Sequence, residues 1–146
     1  MTKLSRRNAL KLGLGGLGAA GAAAACSTTG GGAYGGKVAF NHGVASGDPT
    51  QGSVVLWTRV TPEQQGPVPV RWSVARDPGF KTVIRRGVVN TGPERDYTVK
   101  VDVDGLSAGQ VYYYWFSVGR QASPSGRTRT LPGNGTADYR MAVVSC

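Results

Sequence analysis

Between residues 97 and 103 the sequence "YTVKVDV" alternates strictly, with Tyr97, Val99, Val101 and Val103 apolar and Thr98, Lys100 and Asp102 polar. A period of two marks a strand with one dry face and one wet face. The run "VYYYWFSV" (111–118) follows the same rule, with Tyr112, Tyr114, Phe116 and Val118 as the inner face and Tyr113 and Trp115 turned outward. Further short runs at 38–45, 53–60, 68–76, 82–89 and 126–131, and another at 139–145, are divided by breakers such as "SGDPTQG", "RDPG", "NTGPE" and "DGLSAG". No stretch sustains a helical period and no segment repeats. Strands at this spacing predict an all-β sandwich.

The turn before 111–118 sharpens the class. A Gly-Leu pair (Gly105, Leu106) is followed six residues after Leu106 by Tyr112. That spacing resembles the tyrosine corner of immunoglobulin and fibronectin type III-like sandwiches, in which the tyrosine hydroxyl caps backbone groups upstream of it. Tyr112 is therefore a packing residue. Tyr113 and Trp115 are less ordinary, because large aromatics on a wet face need a cover. Either a loop of the same domain covers them, or they form a domain-docking face, since exposed apolar patches tend to be interfaces.

The chain has 146 residues, enough for one domain of the usual size, and a formal charge of +9. Lys3, Arg6, Arg7 and Lys11 supply +4 of it before any acid occurs; from Cys26 onward 13 basic residues face 8 acidic ones. Nearly half of the excess is thus packed into the first eleven residues, as a targeting feature would have it, with a mildly basic domain behind it. At the N-terminus a basic stretch, "MTKLSRRNALK", leads into the uncharged "LGLGGLGAAGAAAA" (12–25) and then into Cys26. Fourteen uncharged residues fall short of the ~20 that a membrane-spanning helix requires. Residues 1–26 read as an export signal, with Arg6 and Arg7 resembling a twin-arginine motif that engages the machinery exporting folded proteins. Cys26 follows Ala23, Ala24 and Ala25, which suits lipidation of the cysteine or cleavage at an A-x-A peptidase site. Contact with a membrane is then transient or made through a lipid on Cys26. The protein is expected to be periplasmic, cell-surface or secreted. "STTGGGAYGG" (27–36) reads as a flexible linker, and 37–132 as the sandwich domain.

Few residues in that domain suit catalysis. His42 is the only histidine, and a lone histidine near a strand end is ordinarily a hydrogen-bonded structural residue; no nucleophile-elbow sequence accompanies it. The glycine clusters lack the strand-loop-helix setting of a phosphate-binding loop. With no CxxC pair, a zinc knuckle is excluded. Asp48, Asp102 and Asp104 fall at turns or on a wet strand face. Arg71, Arg76, Arg127 and Arg129 are scattered singly, a weak version of the basic, aromatic-studded surface of a nucleic-acid module, so no nucleic-acid partner is expected. Cys146 ends the apolar run "MAVVSC" (141–146), where a thiolate suits a soft or borderline metal.

Several blocks in order, "FNHGVASGDP" (40–49), "VLWTRVTP" (55–62), "VRWSVARDPGF" (70–80), "GLSAGQVYYYWF" (105–116), "SGRTRTLP" (125–132) and the terminal "VVSC", resemble the alkaline phosphatase D (PhoD-type) family. The resemblance implies an N-terminal sandwich ahead of a metallophosphoesterase domain that uses iron and calcium to hydrolyse phosphate mono- and diesters. It makes 139–146 the first strand of that second domain and Cys146 its first metal ligand, an iron thiolate. These residues then form the non-catalytic front of an exported phosphatase, inactive alone and holding no cofactor. The competing expectation is a sandwich binding module tethered to the cell surface.

Overall fold

The computed structural model describes residues 34–133, together with Val143. The runs named from their alternation are strands: β1 (Val38–Ala39), β2 (Val44–Gly47), β3 (Val54–Arg59), β4 (Thr61–Pro62), β5 (Val68–Ala75), β6 (Val83–Thr91), β7 (Thr98–Val103), β8 (Val111–Val118), β9 (Gln121–Ala122) and β10 (Gly126–Arg129). A single 3-10 turn, Pro93–Arg95, is the helical element among the described residues. The strands form two sheets and a ribbon. One sheet has the order β2-β3-β7, the other β10-β8-β5-β6 with β9 added to the end of β8, and β1 pairs with β4. All pairs are antiparallel. β10 lies alongside β2 at one corner, and β6 alongside β7 at the other. The result is the expected β-sandwich.

The core is what the alternation specifies. Val54, Leu56, Val99, Val101 and Val103 from the three-stranded sheet meet Val68, Val70, Val74, Tyr112, Tyr114, Phe116 and Val118 from the other. Burying each such side chain contributes roughly 1.5–3 kcal/mol relative to leaving it exposed. Three buried threonines each donate to a carbonyl: Thr58 to Gly43, Thr91 to Thr98 and Thr130 to Ser107, all at 2.7 Å. Tyr112 is fully buried and its hydroxyl accepts the Ser107 N–H at 2.8 Å, so the corner read from the sequence is present. Thr130 takes the carbonyl of the same Ser107, so both backbone groups of that turn residue are satisfied.

Three boundaries differ from the sequence reading. The run 38–45 is not one strand: the Gly43 N–H bonds back to Phe40 at 3.1 Å, and Gly43 at φ +66° adopts a conformation that suits glycine. β7 begins at Thr98 because the 3-10 turn ends in two left-handed residues, Asp96 (φ 49°) and Tyr97 (φ 54°). Tyr97 therefore leaves the strand alternation; its ring packs against the core and its hydroxyl accepts the Gly66 N–H at 3.2 Å. Tyr34, inside the stretch read as linker, packs against the same core, and its hydroxyl both donates to the Gln64 carbonyl and accepts the Gln64 N–H, each at 3.0 Å. An aromatic ring among glycines gives the stretch something to bury.

Candidate functional site

Antiparallel register decides which side chains share a face, because residues directly opposite point the same way. On β8 the inward set is Tyr112, Tyr114, Phe116 and Val118, so Tyr113, Trp115 and Ser117 face out. Their partners define the outer face in rows. Trp115 lies opposite Ser73, which lies opposite Arg86; Ser117 lies opposite Arg71, which lies opposite Val88. Tyr113 lies opposite Ala75 on one side and Arg127 on the other, and Val111 opposite Arg129. Four arginines scattered in the sequence thus stand on one sheet face with Tyr113 and Trp115 between them. The face holds an open groove of about 600 Å³, lined by Arg71, Ser73, Arg86, Val88, Trp115 and Ser117 among others.

Tyr113 and Trp115 are both half-buried. Part of the cover comes from the domain itself. The β5–β6 turn folds Phe80 back so that its ring sits 5.6 Å from that of Trp115, tilted by 59°. Asp77 builds this turn: its carboxylate accepts the Lys81 N–H at 3.0 Å and the Thr82 N–H at 2.7 Å, and its carbonyl takes the Phe80 N–H at 3.1 Å. Those backbone donors, Lys81 first, hold the Asp77 carboxyl below its ordinary value. The sequence carries the signal for the turn in Asp77-Pro78-Gly79, but not where it aims Phe80. Trp115 is supported from one side and still open to the groove.

At the opposite end of the sandwich Arg59 gathers the one histidine. Its guanidinium donates to both Asp96 carboxylate oxygens, at 2.7 and 3.0 Å, and lies 2.7 Å from His42 Nε2. His42 is thus the hydrogen-bonded structural residue expected from its position. The Arg59 hydrogen bond holds the Asp96 carboxyl below its ordinary value. A group with a lowered folded pKa adds stability above its unfolded pKa and loses it as pH falls through the folded one. Asp96→Asn keeps a residue that tolerates the left-handed conformation and removes the charge. The urea midpoint of the variant is expected to lie below that of the parent at neutral pH, with the gap closing as pH falls below the ordinary carboxylate range. A gap that stayed constant with pH would show that the ion pair contributes nothing.

Among the described residues no three His, Cys, Asp or Glu side chains stand together as a metal site would require. Arg6, Arg7, Cys26 and Cys146 lie outside the described residues. Among the described residues, no helix is long and apolar enough to cross a membrane.

Comparison with known proteins gives this arrangement its context. Residues 23–132 match the family described as PhoD-like phosphatase, N-terminal domain. The chain belongs to the PhoD-like phosphatase family. It is 43% identical over 116 residues to alkaline phosphatase D of Bacillus subtilis (strain 168), an alignment covering 73% of this chain and 20% of that protein. A solved structure of PhoD superposes with a TM-score of 0.63 at 44% identity, over 66% of this chain and 20% of that one. The chain therefore spans about one fifth of the length of the PhoD relatives it matches. The matched part is the sandwich, so the PhoD-type domain described above is the shared structure. Arg86, Val88 and Phe80 are the members of its outer face that reading along the sequence did not single out; strand register reveals the first two and the fold of the β5–β6 turn the third.

Proposed function

We propose that this chain is the N-terminal part of an exported alkaline phosphatase or phosphodiesterase, and that its sandwich is a non-catalytic front domain. The observation that carries the reading is the family match at 23–132 to an N-terminal domain, together with a relative of which the aligned 116 residues make up only 20%. Hydrolysis of phosphate esters then belongs to the portion of those proteins that this chain does not span. In this reading Arg6 and Arg7 address the chain for export in the folded state, and Cys26 is the point of lipidation or cleavage.

Iron and calcium enter the reading only through Cys146. A thiolate is a fitting donor for iron, and the ion in turn favours the deprotonated thiol. The described domain contributes no ligand cluster of its own, so Cys146 would act with residues beyond those spanned here. When bound, such ions supply Lewis-acid polarisation of the phosphoryl group and an activated water. The purified 146-residue chain, supplied with iron and calcium, is expected to turn over neither p-nitrophenyl phosphate nor bis(p-nitrophenyl) phosphate above the metal-only control. Enzyme-dependent release of nitrophenol that vanished on chelation would overturn the non-catalytic assignment.

A further inference from the structure

The four strands β5, β6, β8 and β10 carry five arginines and no aspartate or glutamate. Four of these, Arg71, Arg86, Arg127 and Arg129, are exposed and share the outer face by register. The three-stranded sheet is different: Lys100 and Asp102 sit together on the wet face of β7. Apolar exposure is equally one-sided. Of the exposed large hydrophobic residues among those described, Val83 (44%) and Val88 (58%) both belong to β6, and Val143 is the third. Val88 stands opposite Arg71, and a register shift after Val74 sets Val83 opposite Ala75, in the row of Tyr113 and Arg127.

We propose that the outer face of the β10-β8-β5-β6 sheet is a docking surface for the polypeptide C-terminal to this domain, and that the complementary surface is apolar at its centre and carboxylate-rich at its rim. The proposal rests on the reading of the chain as the front of a longer phosphatase. Its centre is Trp115 with Tyr113, and its rim is the arginines; tryptophan, tyrosine and arginine are the residues most enriched in protein interfaces and their energetic centres. The platform is stiff, because Trp115 and Tyr113 stand on an interior strand and Phe80 fixes the indole from the side. Three strands of eight or nine residues, each about 25–30 Å long, and the four-residue β10 beside them, all roughly 4.8 Å apart, give a face on the scale of an inter-domain interface.

The position of the chain favours this occupant over others. After β10 the backbone is fastened to the sandwich, with the Leu131 N–H on the Thr50 carbonyl at 2.8 Å and the Gly109 N–H on the Leu131 carbonyl at 2.7 Å. The polypeptide beyond Gly133 therefore starts from a fixed point only a few residues past the edge strand of this face. In the relatives, alignment with this chain accounts for 20% of the length, which leaves ample polypeptide to fold back. A second copy of the same face would bring arginine against arginine. A nucleic-acid strand would find charge and a stacking ring, but would leave Val83 and Val88 without apolar cover.

Oxidative footprinting with residue-level mass spectrometry tests the assignment. The 146-residue chain is compared with a polypeptide that continues through the PhoD-type phosphatase domain. Trp115 and Tyr113 are expected to be protected at least fivefold in the longer polypeptide, with Trp57 of the other sheet unchanged. Arg71→Glu combined with Arg127→Glu is expected to abolish that protection while circular dichroism stays that of the parent. Equal reactivity of Trp115 in the two polypeptides would overturn the docking assignment, and would do so whether or not the longer one hydrolyses phosphate esters. Absence of metal-dependent ester hydrolysis in the longer polypeptide would instead count against the phosphatase reading. Salt-sensitive binding of single-stranded oligonucleotide by the longer polypeptide, lost in the arginine variant, would also overturn docking, since it requires the face to be free.

Discussion

Phe116→Ala is expected to lower the unfolding free energy by about 3–5 kcal/mol, the range for deleting a fully buried phenylalanine from a core that collapses incompletely. Phe116 is completely buried on β8, an interior strand of the five-stranded sheet, and Trp72 of β5 is its register partner. Its ring also meets Tyr114 edge-on, 6.3 Å between centroids at 85°. Such a pair adds roughly 0.5–1.5 kcal/mol beyond area burial. A domain of this size holds only ~5–15 kcal/mol in total, so the variant loses a large part of its stability. Phe116→Leu, which keeps much of the volume, is expected to cost under about 1.5 kcal/mol. Urea unfolding followed by circular dichroism measures both. An alanine variant within that lower bound would mean that the two sheets are less tightly joined at this point than the structure shows.

The second large effect is expected at glycines that strand propensity would nominate for replacement. Gly126 on β10 lies opposite Tyr114, and Gly87 on β6 opposite Trp72. In each pair the inner-face aromatic spreads over the glycine of an edge strand. A Cβ at Gly126 would stand 2.6 Å from Tyr114 Cε1, and one at Gly87 would stand 2.8 Å from the Trp72 ring. Neither glycine has the positive φ that itself demands glycine, so space alone forbids the side chain. Gly126→Ala and Gly87→Ala are each expected to cost about 1–3 kcal/mol, the usual penalty for overpacking. Gly47 on β2 is the internal control, since nothing lies within 4 Å of its Cβ position. Gly47→Ala is expected to be neutral or to stabilise by about 0.4–1 kcal/mol through the unfolded chain. Equal effects at all three positions would refute the space-filling role of the aromatics.

The contrast also shows what the sequence could convey. Tyr112, Tyr114, Phe116 and Val118 were legible as inner-face residues because alternation is a local property, written within eight positions. The tyrosine corner was legible for the same reason, Leu106 and Tyr112 being separated by a fixed short distance. Tyr97 was not, because its place in the alternation is cancelled by the two-residue left-handed exit from the turn at Pro93–Arg95. The outer face was legible only in part. Tyr113 and Trp115 announce themselves as outward aromatics, but Arg71, Arg86 and Arg127 come from three other strands and meet them only once register is set. Phe80 reaches Trp115 through the geometry of a turn, which residue type alone does not encode.

The edge strand β6 has a consequence for self-association. It spans nine residues, Val83–Thr91, and pairs with β5 along one side only. A long free edge with exposed valines is ordinarily a template on which another copy can add a strand. Arg85 and Arg86 stand together on it, and Arg85 is already committed, its guanidinium donating to the carbonyls of Asp104 at 3.0 Å and Gly105 at 2.8 Å. A second β6 added parallel and in register would crowd two such arginine pairs at a strand spacing of roughly 4.8 Å. Arg86, one of the cations that would invite an acidic partner onto the face, thus also opposes strand addition at this edge.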